Sequence, residues 1–166
     1  MNSDTNLFFI KDRITEIGSA LLYSMSNELI KLPCSIITVL NADEDGHLWF
    51  FTKRPGQYMA QQEKSFPARL KFYRKGKPFF VEVSGHAVVT EEKEIINEFA
   101  GMQGSLADVA MQNLMLVKLK IKKAEYHEPK PVRHSNNFML QLREFLVNLF
   151  KPAYNYRTFE MNPEIV

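Results

Sequence analysis

The sequence predicts a mainly β domain in which about six antiparallel strands close into a barrel, with helices at the periphery. Three observations lead to this fold class. Several short segments are rich in β-branched and aromatic residues, which fit a pleated surface. Most connections between these segments are short and carry Gly, Pro or Asn–Asp turn signals. The remaining periodic segments have helical spacing and flank or interrupt the run of strands.

Two helices are predicted at the ends of the domain. Leu7, Ile10, Ile14 and Ile17 fall at helical spacing and predict a helix over residues 4–18, with Gly18 as its stop. Residues 135–150 carry a second apolar stripe, which either covers the barrel or forms a dimer contact. Shorter helices are predicted over residues 58–64 and 91–99.

The strands of the barrel are predicted within residues 19–126. Asp43 to Gly46 forms the turn of a hairpin, and a dense aromatic strand returns from it. Alternation of apolar residues and lysines from Met115 onward predicts a strand with one wet face. The predicted strands cover residues 19–24, 34–40, 46–52, 69–73, 79–89 and 115–121.

Length and composition limit the function classes. A chain of 166 residues is enough for one domain with a real core, so we expect residues 1–166 to form a single domain. The net charge is only +2 and the lysines are scattered, which excludes a nucleic-acid partner. No apolar run reaches the length of a membrane span, so we also expect no membrane partner.

Cysteine usage and the first residues predict a cytoplasmic protein. Cys34 is the single cysteine, so no internal disulfide can form, which suits a reducing compartment. We interpret its side chain as a small buried apolar group. The segment Met1-Asn2-Ser3-Asp4 lacks the basic start of a signal peptide.

The strand Gly46-His47-Leu48-Trp49-Phe50-Phe51-Thr52 carries the most specific pattern. Three large aromatic residues in succession must bury both faces of a strand. One face fits the barrel interior, and a partner subunit could account for the other. Trp49 itself is either a core residue or part of a ligand site, and Thr52 is either a residue of high β-propensity or a ligand-binding hydroxyl.

This strand, together with Val81-Glu82-Val83-Ser84-Gly85-His86-Ala87-Val88-Val89, resembles the FMN-binding split barrel of the pyridoxamine 5'-phosphate oxidase-like superfamily, especially its general stress protein branch. The resemblance covers about residues 14–126. It implies a six-stranded antiparallel split β-barrel that binds FMN at a homodimer interface. The aromatic strand would lie beside the flavin, and the hydroxyl of Thr52 would meet the phosphate. A glycine such as Gly85 would kink the strand that closes the barrel.

Two phosphate-binding positions of the family differ in this sequence. Either Leu32 or Ser35 stands at the family's arginine, depending on how the segments are matched, and Tyr58 stands at its lysine. Lys31, Lys53 and Arg54 are nearby cations that could compensate, or they are solvated surface charges. The predicted cofactor-binding residues are therefore Lys31, Ser35, Trp49, Phe51, Thr52, Lys53, Arg54 and Tyr58.

No residue is predicted to be catalytic. His86 lacks a recognisable partner in the sequence and is interpreted as a surface or packing residue. The four histidines show no metal-ligand spacing, so no metal site is predicted. Two functions remain: an FMN-binding flavoprotein, with oxidoreductase chemistry on a small molecule implied by the resemblance, or a non-catalytic split-barrel homodimer that has lost FMN or binds another small ligand in the groove.

Overall fold

The computed structural model describes residues 3–25, 34–55, 64–101, 113–129 and 154–161. In these ranges seven antiparallel strands form one sheet, and pairing of the third strand with the sixth closes six of them into a barrel. The predicted fold class is confirmed. The elements are α1 (Ser3–Ile17), β1 (Ser19–Ser24), β2 (Ser35–Ala42), β3 (His47–Lys53), β4 (Ser65–Phe72), β5 (Phe80–Thr90), α2 (Lys93–Ala100), β6 (Leu114–Pro129) and β7 (Tyr154–Glu160).

Helix α1 forms as its apolar spacing predicts. Ile10, Ile14 and Ile17 are buried and belong to the core cluster. Gly18 ends the helix in the left-handed region at a φ of 80°, where a residue without a Cβ is favoured. Its backbone N–H donates to the carbonyl of Ile14 at 2.8 Å, which satisfies one of the last helical carbonyls.

The barrel interior is filled by every second residue of the strands. On β3 the inward side chains are Leu48, Phe50 and Thr52, all buried. The apolar set predicted on β6 faces inward as well: Met115, Val117, Leu119 and Ile121 are each at most 2 % exposed. Alternation therefore assigns the other residues of these strands to the outer face.

Gly85 permits a very close approach of β5 to β6. The register between the two strands shifts between Ser84 and Gly85, which marks a bulge. A Cβ built at Gly85 would lie 1.9 Å from the carbonyl oxygen of Lys120. The structural role predicted for this glycine is therefore confirmed.

Strand β4 begins earlier than predicted. It runs from Ser65 rather than residue 69 and includes Pro67, a residue that normally argues against a strand interior. Pro67 lies opposite His86 in the ladder, and its carbonyl accepts the N–H of Met25 at 2.8 Å. The lost donor of one proline is thus tolerated near the start of the strand.

The sequence did not predict β7. It pairs with the second half of β6, from Lys123 to Pro129, which projects beyond the six-stranded barrel. Phe159 from β7 is buried, and its ring centroid lies 6.0 Å from that of Phe9 in α1. Strand β7 therefore extends the sheet and adds a side chain to the core.

Three further expectations concern single residues or helices. Cys34 is exposed, so its interpretation as a buried apolar group is wrong. The helix predicted over residues 135–150 lies outside the described residues, as does nearly all of that predicted over 58–64. The helix predicted over 91–99 is confirmed as α2, which begins at Lys93.

Candidate functional site

The candidate site lies where β3 ends. The ladder between β2 and β3 runs between Val39–Ala42 and Leu48–Phe50, and the strands are not paired in register beyond it. A side-chain contact bridges them there: the hydroxyl oxygens of Ser35 and Thr52 are 3.2 Å apart. We call this end of the barrel the Thr52 end. The beginnings of β2, β4 and β6 and the ends of β1, β3 and β5 share it, as the registers require.

The hydroxyl of Thr52 sits in a mostly apolar environment. The side chain is 5 % exposed, and Thr52 is the buried polar residue of the described ranges. In the ladder between β3 and β6, Thr52 pairs with Met115, which is 2 % exposed. Ser35 is less buried, so it lies between the barrel interior and the surface. A buried hydroxyl needs a hydrogen-bond partner, and Ser35 supplies it.

The two cations after Thr52 are placed differently from each other. Lys53 is still part of β3, paired with Leu114, and its exposed side chain therefore points away from the face of Thr52. The strand ends one residue later than predicted, so Lys53 does not share the face of Thr52. Arg54 follows the strand, and its N–H donates to the carbonyl of Asn113 at 2.8 Å. Its guanidinium lies 3.5 Å from the carbonyl oxygen of Leu114.

Trp49 and Phe51 occupy the outer face of β3 and are half-buried. Trp49 lies outside the core cluster, so its interpretation as a core residue is wrong. Instead, Phe99 of α2 stacks on its indole with ring centroids 5.1 Å apart. The ammonium of Lys118 lies 5.0 Å from the same ring, within range of a cation–π interaction. Helix α2 thus provides part of the cover that a partner subunit was expected to give.

The turn before β3 contacts the indole N–H of Trp49. The carboxylate of Asp43 accepts hydrogen bonds from the backbone N–H of His47 at 2.8 Å and from the indole N–H of Trp49 at 3.4 Å. His47 Nδ1 lies 3.0 Å from the same carboxylate. Burial of Asp43 raises its pKa, but the backbone bond and the charge of His47 outweigh it, so the net pKa is below 3.8.

Asp43→Asn should lower the free energy of unfolding at pH 7 by about 1 kcal/mol, because a charge-assisted acceptor becomes a neutral one. The folded state holds the Asp43 proton less tightly than the unfolded chain, whose pKa is near 3.8. The contribution is therefore complete well above pH 3.8 and is lost as the pH falls through the lower folded pKa. Urea unfolding of both proteins from pH 7 to pH 2 should show the difference shrinking. Glu44→Gln, an exposed change in the same turn, should give no such difference.

The same turn brings together three potential metal ligands, although no metal site was predicted. One ligand atom each from Asp43, Asp45 and His47 lies within 4.8 Å of the others. The signal in the sequence is the spacing of two residues between Asp43, Asp45 and His47 across the turn. The carboxylate of Asp43 already accepts protein donors, and the ammonium of Lys120 donates to the carbonyl oxygen of Asp45 at 2.6 Å. That positive charge opposes binding of a cation here.

His86 has a partner that the sequence did not reveal. Its Nε2 forms a hydrogen bond with the hydroxyl of Ser65, on the neighbouring strand β4. The two residues lie on the outer face, diagonal to each other across the β4–β5 ladder. Twenty-one positions separate them in the chain, so only the register of the hairpin brings them together.

Two of the predicted site residues, Lys31 and Tyr58, lie outside the described residues. The structure brings together Ser35 and Thr52, with Arg54 following at the end of the same strand. Lys53 does not join this pair, because its side chain lies on the opposite face of β3. Trp49 and Phe51 share the outer face of β3 with Lys53, while the hydroxyl pair faces inward.

A six-stranded antiparallel barrel that separates between β2 and β3 at one end is a split barrel. The sequence profile of the family described as Pyridoxamine 5'-phosphate oxidase like matches residues 7–144. The chain belongs to this family, and the resemblance seen in the aromatic strand and in the segment around Gly85 is confirmed. No curated protein sequence matches the chain.

Solved structures with the same fold include several general stress proteins. One assigned as general stress protein 26 from Jannaschia sp. CCS1 has a TM-score of 0.55 and 16% identity, with 95% of this chain and 99% of that chain covered. A protein related to general stress protein 26, of the pyridoxinephosphate oxidase family, from Clostridium acetobutylicum has a TM-score of 0.56 and 8% identity, covering 77% and 91%. The general stress FMN/FAD binding protein from Xanthomonas citri has a TM-score of 0.50 and 18% identity, covering 75% and 89%.

Proposed function

We propose that this chain is a flavoprotein that binds FMN at the Thr52 end of its split barrel. The observation that carries the proposal is the hydroxyl pair of Ser35 and Thr52, located where β2 and β3 separate. Family membership supports it, and the Xanthomonas citri protein of the same fold is described as binding FMN or FAD. Hydroxyl groups and an arginine are a suitable donor set for a phosphate.

The phosphate would lie near Ser35 and Thr52, with a positive charge from Arg54 or from Lys31. Burying a phosphate without a cation is costly, so at least one of them should take part. Arg54 is exposed at the end of β3 and close to the β6 backbone. Lys53 lies on the opposite face and is better suited to contact the outer edge of the ligand or solvent.

FMN, when bound, would supply redox chemistry, so the proposed activity is that of an oxidoreductase acting on a small molecule. The role of the chain is to bind and orient the cofactor and to limit its contact with water. Phe51, on the outer face of β3 next to Thr52, offers an aromatic surface where a flavin ring could pack, while Phe99 and Lys118 already contact the ring of Trp49. No acid, base or nucleophile is assigned, and the substrate is left open.

A homodimer would complete the site. Beside β3, the outer face of β2 exposes Ile36 at 81 % and Leu40 at 41 %, which is unusual for a sheet surface in contact with water only. We therefore propose that a second copy covers this face. Sedimentation velocity at micromolar concentration should give a dimer, and a monomer there would contradict the proposal.

We also propose a cytoplasmic location, since a single exposed cysteine suits a reducing compartment. In the part of the chain that the structure describes, no helix combines the length and the hydropathy that a membrane span requires.

Flavin titration tests the proposed function. Purified protein should bind FMN with a shift in visible absorption, and Thr52→Ala should weaken binding a few-fold, since the hydroxyl pair is lost. The double variant Lys53→Ala, Arg54→Ala should weaken FMN binding by a similar factor, because it removes the positive charge of Arg54 from the phosphate. The matched control is Arg74→Ala, Lys75→Ala, which removes two exposed charges from the turn between β4 and β5 at the opposite end. Equal effects of both double variants would place the phosphate elsewhere.

The alternative function is a non-catalytic split-barrel homodimer that has lost FMN or binds another small ligand in the same groove. The orientation of Lys53 favours it, because one of the expected compensating cations faces away from Thr52. A colourless protein whose absorption and Trp49 fluorescence do not respond to added FMN would support this alternative and reject the flavoprotein.

A further inference from the structure

We infer that Ser35 is the hydroxyl that contacts the ligand phosphate and that Thr52 is a positioning residue acting through it. This inference rests on the proposed flavin site and assigns separate roles to two residues within it. It differs from what the family resemblance implies, in which the hydroxyl of Thr52 meets the phosphate directly.

The two hydroxyls differ in their access from outside the barrel. Thr52 is 5 % exposed and points into the barrel, opposite Met115. Ser35 is half-buried at the first position of β2 and lies 3.2 Å from it. A phosphate approaching the Thr52 end from outside therefore reaches the oxygen of Ser35 before that of Thr52.

The hydrogen bond between Thr52 and Ser35 has a preferred direction. Each hydroxyl has one proton to donate, and either oxygen could be the donor in this pair. If Ser35 donated, the proton of Thr52 would be left in the apolar interior without an acceptor, which is unfavourable. If Thr52 donates, both groups are satisfied, and the proton of Ser35 is free to point outward. Burial therefore favours the order Thr52 to Ser35 to ligand.

This order of hydrogen bonds favours binding of a phosphate. A hydroxyl that accepts one hydrogen bond becomes a better donor in the next one, because linked hydrogen bonds polarise each other. Thr52 also restricts the rotation of the Ser35 hydroxyl, which otherwise rotates freely. The pair thus presents one oriented donor to a phosphate oxygen at a position where a longer, charged side chain is absent.

The test is a double-mutant cycle with two ligands, FMN and riboflavin, which differ by the phosphate. Ser35→Ala should lower FMN affinity about tenfold and leave riboflavin affinity unchanged. Thr52→Val, which keeps the shape of the side chain, should lower FMN affinity a few-fold. In the Ser35→Ala background Thr52→Val should have no further effect, because its hydroxyl acts only through Ser35. Thr52→Ser should restore wild-type FMN affinity.

Each outcome decides between the alternatives. If Thr52→Val reduces FMN affinity by the same factor with and without Ser35, Thr52 contacts the phosphate itself and the inference is overturned. If wild-type protein binds FMN but Ser35→Ala binds it equally well, the inference fails while the flavoprotein stands. If the wild type binds neither flavin, the proposed function fails and the inference with it. Thermal unfolding of each variant confirms that the affinities are measured on folded protein.

Discussion

Gly85→Ala is expected to reduce the free energy of unfolding by at least about 3 kcal/mol, or to prevent folding. The added methyl group would lie 1.9 Å from the carbonyl oxygen of Lys120, a distance at which two atoms cannot coexist. The obstacle is backbone and not a flexible side chain, so relief requires that β5 and β6 move apart. These two strands pair along Phe80–Thr90, the longest ladder of the sheet.

Denaturant unfolding followed by circular dichroism measures this effect. Ser84→Ala is the matched control, since it changes the neighbouring residue of the same bulge without adding an atom to the contact. It should stay within about 0.5 kcal/mol of the wild type. If Gly85→Ala were as stable as Ser84→Ala, the close approach of β5 to β6 would have to be wrong.

Phe50→Ala should cost about 3–5 kcal/mol, the usual range for removing a fully buried phenylalanine. Phe50 is 0 % exposed and belongs to the core cluster inside the barrel, where its loss leaves a cavity. The same substitution at Phe8, which is 73 % exposed on α1, should change stability by only about 0.5 kcal/mol or less.

The two substitutions together test which face of β3 points into the barrel. Both remove the same atoms, so the difference in midpoint of urea unfolding isolates burial. A small loss at Phe50 would mean that β3 is rotated by one residue, which would also exchange the faces of Trp49 and Thr52.

Periodicity explains why part of the fold could be predicted. Helix α1 and the first half of β6 each carry an apolar repeat that matches their burial, whereas β2 exposes the apolar side chains of Ile36 and Leu40. Such repeats indicate which residues are buried, and the hydrophobic effect is roughly proportional to the apolar area that is buried. Gly85 was also predictable, because a glycine within a strand has few structural explanations.

Features that depend on distant segments could not be predicted. The start of β4 was missed because Pro67 argues against a strand, and the pairing that tolerates it involves β1 and β5. Strand β7 was missed because its residues are mostly exposed and leave little periodic signal. The surroundings of Trp49 could not be predicted, because nothing in its own strand shows that Phe99 of α2 stacks on the indole.

The candidate site was predictable in its residue types but not in its geometry. Thr52 and Ser35 were both named from the sequence, yet their contact joins positions 17 apart and depends on where β2 and β3 separate. Whether Lys53 shares a face with Thr52 depends on whether β3 ends at Thr52 or at Lys53. The strand includes Lys53, so the two side chains lie on opposite faces.

Strand β7 also affects how readily the edge of the sheet can pair with another chain. A closed barrel has no open hydrogen-bonding edge, but the second half of β6 extends beyond the closure and would expose one. Among the described strands, β7 covers that edge and then presents its own. The new edge carries Arg157 and Glu160, both exposed, and charged side chains discourage pairing with another chain. Among the described strands, the charged edge of β7 is thus less suited to pairing with another chain than the bare edge of β6 would be.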